Sequence, residues 1–229
     1  DIEVAVGRKE DTINSLKFKD ETKLTKLLQD NPVDVIVDFT VPDATMRYLE
    51  SAIKTDTAIV IGTTGFSSEQ EKRIRDAGQQ IPVLRASNFS PSISVMQSLV
   101  REAASKLEDY DIEVTETHHN RKRDAPSGTA NSILETVKSA RSVSEEVHGR
   151  KGEDPRNKGE IGVHSRRAGD IRSVHEVLMA GDNEILKIRH RTESRKTFAS
   201  GAIRASEWLN NQEAGYYSFQ EVFESENNS

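Results

Sequence analysis

Val33-Asp-Val-Ile-Val-Asp-Phe39, running into Thr40-Val-Pro-Asp43, is the stretch whose reading decides the fold. The β-branched run predicts one strand, and Thr40–Asp43 reads as a strand-to-helix turn. Met46, Leu49, Ala52 and Ile53 then recur at helical spacing. The rhythm repeats. Thr57-Ala-Ile-Val-Ile61 is a second strand, broken by Gly62-Thr-Thr-Gly65; Ser67 or Ser68 caps the next helix, Gly78 closes it, and Pro82-Val-Leu-Arg85 is a third strand. Strand, loop and helix in series imply a parallel sheet with helices on its faces. Ligands of such sheets sit at the carboxyl ends of the strands, so the turns Thr40–Asp43, Gly62–Gly65 and Ala86–Ser90 are expected on one edge.

After Ser90 the pattern changes. A long helix carries Val95, Leu99, Ala103 and Leu107 on one stripe and leads to the alternating strand Asp111-Ile-Glu-Val-Thr115. A helix through Ile133, Leu134 and Val137 comes next, and the polar stretch from Ser142 to Glu160 reads as a loop. Strand candidates around Ile161–Ser165, Ser173–Met179 and Glu184–His190 have no helices between them, which favours an antiparallel or mixed sheet. A helix near Thr197–Leu209 and a polar tail finish the chain. Two domains are expected: an α/β one from residues 1–89 and 199–229, and an α+β one from residues 90–198.

Composition narrows the function classes. The 229 residues are 31% charged and only 5% aromatic, so the core must be built from Ile, Val, Leu and Ala. A net charge of -6 argues against a general nucleic-acid binder. No apolar run approaches the roughly 18 residues of a membrane helix, and the acidic opening Asp-Ile-Glu has no signal-peptide pattern. With no cysteine, disulfide and thiolate chemistry are excluded. No membrane or nucleic-acid partner is therefore expected, and the expected location is the cytoplasm.

The chemistry concentrates in Glu116-Thr-His-His-Asn-Arg-Lys122 and Asp124-Ala-Pro-Ser-Gly-Thr-Ala130. Neighbouring side chains in a strand face opposite ways, so His118 and His119 do not readily share a metal. HExxH spacing and cysteine are both absent, so no metal is expected. A basic, solvated loop ahead of a well-capped helix is the plain alternative, but it leaves Pro126-Ser-Gly128 at the helix start unexplained. Glycine there lets an anion approach free N–H groups, and the helix dipole favours negative charge. With Arg121, Lys122 and Arg123 close in sequence, the pattern points to a carboxylate or phosphate ligand with a histidine proton donor beside it.

These residues resemble the signature of the 4-hydroxy-tetrahydrodipicolinate reductase (dihydrodipicolinate reductase) family. So do Asp38-Phe-Thr-x-Pro42, Val60-Ile-Gly-Thr-Thr-Gly-Phe66, Ala86-Ser-Asn-Phe-Ser90, Arg167-Ala-Gly-Asp170 and Ser194-Arg-x-x-Phe-Ala-x-Gly-Ala202, in family order along the whole chain. The resemblance implies a Rossmann-like dinucleotide domain and an α+β domain that binds substrate and builds a homotetramer. It implies hydride transfer from NADPH or NADH to a cyclic dicarboxylate in lysine and diaminopimelate biosynthesis. By similarity His118 supplies the proton and Lys122 holds and polarises substrate, while His119, Ser127, Gly128 and Thr129 bind its carboxylates. Cofactor positions carried over are Arg8, Gly62, Thr63, Thr64, Ala86, Ser87, Asn88, Phe89, Arg195 and Phe198.

The sequence departs from the family pattern in three places. A glycine-rich phosphate-binding turn of roughly 30 residues with its strand and helix is expected ahead of Ile2–Val6 and is absent from this sequence. Gly7, Arg8 and Lys9 stand where an acidic residue commonly holds the ribose, which favours NADPH over NADH. Ser92 and Ser94 replace a Gly and an Asn beside the expected domain hinge. Two rival readings remain: a non-catalytic remnant without its phosphate loop, and a related amino-acid-precursor dehydrogenase.

Overall fold

The computed structural model describes residues 5–7, 11–13, 16–141 and 145–224. Two compact units emerge, one from residues 1–89 and 199–229 and one from residues 90–198.

In the first unit the chain order is β1 (Ala5–Gly7), β2 (Asp11–Ile13), β3 (Leu16–Asp20), a 3-10 turn, α1 (Leu24–Asp30), β4 (Val35–Asp38), α2 (Pro42–Thr55), β5 (Ala58–Ile61), α3 (Ser68–Ala77) and β6 (Pro82–Arg85). The second unit runs α4 (Pro91–Lys106), β7 (Asp111–His118), α5 (Gly128–Arg141), β8 (Glu146–His148), β9 (Ile161–Arg167), β10 (Ser173–Ala180) and β11 (Ile185–Thr192). Helix α6 (Lys196–Leu209) returns the chain to the first unit, which closes with β12 (Gly215–Ser218) and α7 (Glu221–Glu224).

Strands β12, β6, β5 and β4 form a parallel sheet in that order, and β1, β3 and β2 form a second, three-stranded one. Strand β5 is buried along its whole length, as expected for a β-branched run covered on both faces. Met46, Leu49, Ile59, Ile61, Ile74 and Val83 share one core, and Val60, Leu84, Phe89, Ala205 and Leu209 share another. Each such fully buried aliphatic side chain stabilises the unit by about 1.5–3 kcal/mol. Ser67 caps α3 through a capping box with Gln70, and Gly78 ends it, as the sequence signals. Because the strands are parallel, the loops after β4, β5 and β6 all leave from the carboxyl edge.

In the second unit the sheet order is β11-β10-β7-β9-β8. Strand β10 runs antiparallel to β7 and β11, while β9 is parallel to β7 and β8, so the sheet is mixed. Ile112, Val114, Val163, Val177 and Met179 pack with residues of α4 and α5. Three expectations need correction. Val95 and Leu99 are 53% and 49% exposed, whereas Ile93, Met96, Val100 and Ala104 make the buried stripe of α4. That helix carries apolar residues on two adjacent stripes, and periodicity cannot choose between them. The stretch read as a loop contains β8, whose three residues pair with β9. The tail read as merely polar contains β12 and α7; Gly215–Ser218 extends the parallel sheet at its edge.

Candidate active site

The strand β7 continues to His118, three residues past the expected end. Alternation puts Ile112, Val114, Glu116 and His118 on one face, so the strand delivers a carboxylate and an imidazole together into an otherwise apolar layer. Glu116 and His118 are both buried, at 1% and 8% exposure. Antiparallel pairing sets His175 of β10 opposite Glu116, and parallel pairing sets Arg167 of β9 opposite His118.

Glu116 is the hub. Its Oε2 lies 2.5 Å from His118 Nδ1, and Arg167 donates to both carboxylate oxygens at 2.9 and 2.8 Å. The Ser127 backbone N–H donates to Oε1 at 3.3 Å. Burial alone would push the Glu116 carboxyl up, but hydrogen bonds from His118, Arg167 and Ser165 outweigh it and hold it at about 2. His175 is driven down to about 4, mainly by burial and then by the neighbouring His118 charge. Its ring meets that of His118 edge-on at 5.3 Å, and its Nε2 lies 3.3 Å from Ser127 Oγ.

The turn after β7 brings the cation. Lys122 forms an ion pair with Asp124 at 2.9 Å, and Arg167 also donates to the Asp124 carbonyl at 2.6 Å. Ser127 caps α5: its Oγ accepts from Ala130 N at 3.2 Å and its carbonyl from Asn131 N at 2.9 Å. At Gly128 an added Cβ would meet nothing within 4 Å, so the helix start opens onto free space. His119 is half-buried, and its Nδ1 finds no hydrogen-bond partner among the described residues. Burial and then the cations around it, Arg121 first, hold His119 below its ordinary value. Arg121 itself reaches out to Asp170 at 2.5 Å with both side chains exposed, and Arg123 is exposed.

The structure thus gathers His118, His119, Lys122, Ser127, Gly128 and Thr129 on one strand end, one turn and one helix start of a single unit. Sequence reasoning missed Glu116, Arg167 and His175 as their partners. The i, i+2 spacing of Glu116 and His118 was a usable signal; the cross-strand partners depend on register, which the sequence does not state. A groove of about 760 Å³ includes Thr115, His164 and Arg166. Along β7 and β9 these alternate away from Glu116 and His118, and His164 is occupied by Glu113 at 2.7 Å. The buried ionic cluster, with its orphaned His119 nitrogen, is the stronger chemical candidate.

In the first unit, the carboxyl edge is stitched together by Asp38, 2% exposed. It accepts from Thr40 N at 3.1 Å, Thr40 Oγ1 at 2.6 Å and Thr63 Oγ1 at 3.0 Å, and also from Thr45. Thr40 N is shared with Thr63 Oγ1 at 2.9 Å, and Gly62 N reaches the Asp38 carbonyl at 2.8 Å. An added Cβ at Gly62 would lie 2.2 Å from the Phe39 ring. Thr64 and Ser87 are exposed or partly so on this edge, Ala86 and Asn88 are at the same turn, and Phe89 is 1% exposed with its ring 5.2 Å from that of Phe39. Phe89 is therefore a core side chain. Arg195 is exposed and Phe198 half-buried at the start of α6. Arg8 lies outside the described residues.

Family models match both parts of the chain: "Dihydrodipicolinate reductase, N-terminus" over residues 3–89 and "Dihydrodipicolinate reductase, C-terminus" over residues 92–223. A 4-hydroxy-tetrahydrodipicolinate reductase of Haloarcula marismortui is 44% identical, covering 97% of this chain and 90% of the relative. One from Methanoculleus marisnigri is 42% identical over 93% of this chain and 85% of its own length. Among solved structures, a dipicolinate-bound dihydrodipicolinate reductase from Paenisporosarcina sp. TG-14 superposes with a TM-score of 0.73 at 24% identity, covering 87% of this chain and 77% of that one.

Proposed function

Since the chain belongs to the dihydrodipicolinate reductase family, we propose that it reduces 4-hydroxy-tetrahydrodipicolinate to tetrahydrodipicolinate with a nicotinamide dinucleotide. The observation that carries this reading is the match of both family models in order, joined to a buried carboxylate–imidazole–guanidinium cluster beside an open helix start. Neither the remnant nor the other dehydrogenase explains that combination.

The overall change takes in a hydride and a proton and releases the hydroxyl as water. The nicotinamide group supplies the hydride when bound. The edge of the first unit fits such a group: Asp38 fixes the loops bearing Thr40 and Thr63 before any ligand arrives. At Gly62 the Phe39 ring packs directly against the glycine, where any side chain would clash. Gly62, Thr63, Thr64 and the Ala86–Phe89 turn would hold the nicotinamide side, and Arg195 and Phe198 are proposed for the same group. In the second unit the Gly128 and Thr129 N–H groups, Ser127 and His119 would hold the substrate carboxylates, where the helix dipole favours negative charge. Lys122 would hold and polarise the substrate, and His118 would give the proton as charge develops.

Freshly generated 4-hydroxy-tetrahydrodipicolinate should be reduced by the protein with matching oxidation of NADPH or NADH, monitored by the loss of nicotinamide absorbance. Absence of oxidation with both nucleotides would contradict the assignment. We further propose a preference for NADPH through Arg8; Arg8→Ala should reduce kcat/KM for NADPH several-fold while sparing NADH, and an equal effect on both would remove Arg8 from that role. A homotetramer built through the sheet of the second unit is also proposed. The exposed Ile185 and Leu186 of β11 support it. Light scattering showing a monomer would refute it. No helix among the described residues is long and apolar enough to cross a membrane. A cytoplasmic location is proposed on the ground of the biosynthetic family alone.

A further inference from the structure

Glu116 has no assigned role, yet it is the most heavily bonded side chain of the site. A carboxylate that accepts two guanidinium bonds and a backbone N–H while 1% exposed is an anion by construction. It also meets His118 Nδ1, at 2.5 Å. An ionised carboxylate can only accept, so Nδ1 must carry a proton and donate it.

We propose that Glu116 is the positioning residue for proton delivery, holding His118 by Nδ1 so that the proton offered to a bound dicarboxylate is the one on Nε2. The proposal rests on the reading of His118 as proton donor. The same guanidinium that fixes Glu116 also binds the Asp124 carbonyl, and Asp124 pairs with Lys122. Arg167 therefore fixes the acid's orientation and the cation's turn together. The other groups facing this corner do not compete. His175 on β10 stays neutral with its value near 4, and its Nε2 is engaged by Ser127 Oγ. His190 on β11 is held below its ordinary value by burial and stacks on His175 at 6.5 Å rather than on His118. Balance is simple: one proton leaves Nε2 for the substrate, the Nδ1 proton stays on His118 in its bond to Glu116, and Nε2 is reprotonated from solvent between turnovers.

Glu116→Gln and the parent enzyme, each labelled with ¹⁵N-histidine, provide the test, read together with steady-state kinetics on the full chain. In the parent, His118 should carry a strongly deshielded proton on Nδ1 as long as Glu116 is ionised. In Glu116→Gln that proton signal should disappear, both neutral tautomers should be populated, and kcat should fall by about 10²-fold or more with KM for the dicarboxylate changing far less. Glu116→Asp, which keeps the anion, should recover part of kcat. A purely structural anchor would move folding and KM but leave the tautomer unchanged, and that result overturns the proposal. If Glu116→Gln does not fold, the parent spectrum still decides: a neutral His118 carrying its proton on Nε2 overturns it. Full turnover in His118→Gln would instead remove the donor reading while leaving the Nδ1 signature of the parent intact, so the two failures are distinguishable.

Discussion

The two units each fix loops around a buried carboxylate, with opposite electrostatics. In the first, one buried carboxylate, Asp38, collects neutral donors: the Thr40, Thr45 and Thr63 hydroxyls and a backbone N–H. In the second, one buried carboxylate, Glu116, is met by a guanidinium and an imidazole. Neutral donors fix backbone geometry without placing mobile protons or net positive charge beside the ligand. The charged cluster fixes geometry too, and in addition leaves an imidazole nitrogen free to exchange a proton. Under the proposed function, a nucleotide edge would need only the first arrangement, whereas proton delivery to a dicarboxylate would need the second.

That contrast can be broken at several points. The largest effect is expected from His118→Gln, which should lower kcat by about 10²–10⁴-fold while calorimetry still shows dipicolinate binding. Loss of binding with turnover per bound substrate intact would reverse the roles. Next comes acid sensitivity of the second unit. His175 is held at about 4 against an ordinary 6.5, so between those values the unfolded chain binds a proton that the folded one refuses. Its contribution is complete above pH 6.5 and lost as pH falls toward 4, on the order of 3 kcal/mol. Glu116, depressed from 4.5 to about 2, contributes stability that is lost only in that lower window. Hydrogen exchange of the β10 amides should therefore accelerate from pH 6.5 downward once corrected for intrinsic rates. His175→Gln should flatten the upper step, and an unchanged profile would refute the burial argument.

Smaller effects belong to the first unit. An added Cβ at Gly201 would lie 1.8 Å from the Phe89 carbonyl oxygen, so Gly201→Ala must displace backbone at about 1–3 kcal/mol. Trp208, the single tryptophan, lies in this unit and reports its urea unfolding directly. A wild-type midpoint would show that the contact is slack. The smallest change is expected from Thr63→Val, which removes one donor from Asp38 at about 1 kcal/mol. KM for the nucleotide should rise by less than about tenfold, with dipicolinate affinity unchanged. An effect confined to dipicolinate would contradict the division of labour between the units.

Much of this was readable from the residues. Parallel strands β4, β5 and β6 announce themselves because β-branched runs alternate with capped amphipathic helices, and the turns between them fall on one edge for topological reasons. The helix start at Gly128 was legible from Pro126-Ser-Gly128. The partners of Glu116 were not, because they depend on register. Arg167 and His175 reach that corner only because β9 and β10 pair with β7 at particular offsets, and no local pattern encodes an offset between strands so far apart in sequence. The buried stripe of α4 was misjudged because two apolar stripes compete on that helix. Strand β12 is short and comes after a polar turn, so only its pairing with β6 identifies it.

Backbone amide shifts on adding dipicolinate to the ¹⁵N-labelled full chain, without nucleotide, test the central claim most directly. The largest changes are expected at Gly128, Thr129 and His119, with Gly62, Thr63 and Thr64 moving far less. Shifts concentrated at Gly62–Thr64, or absent from the start of α5, would contradict a dicarboxylate site built by the second unit.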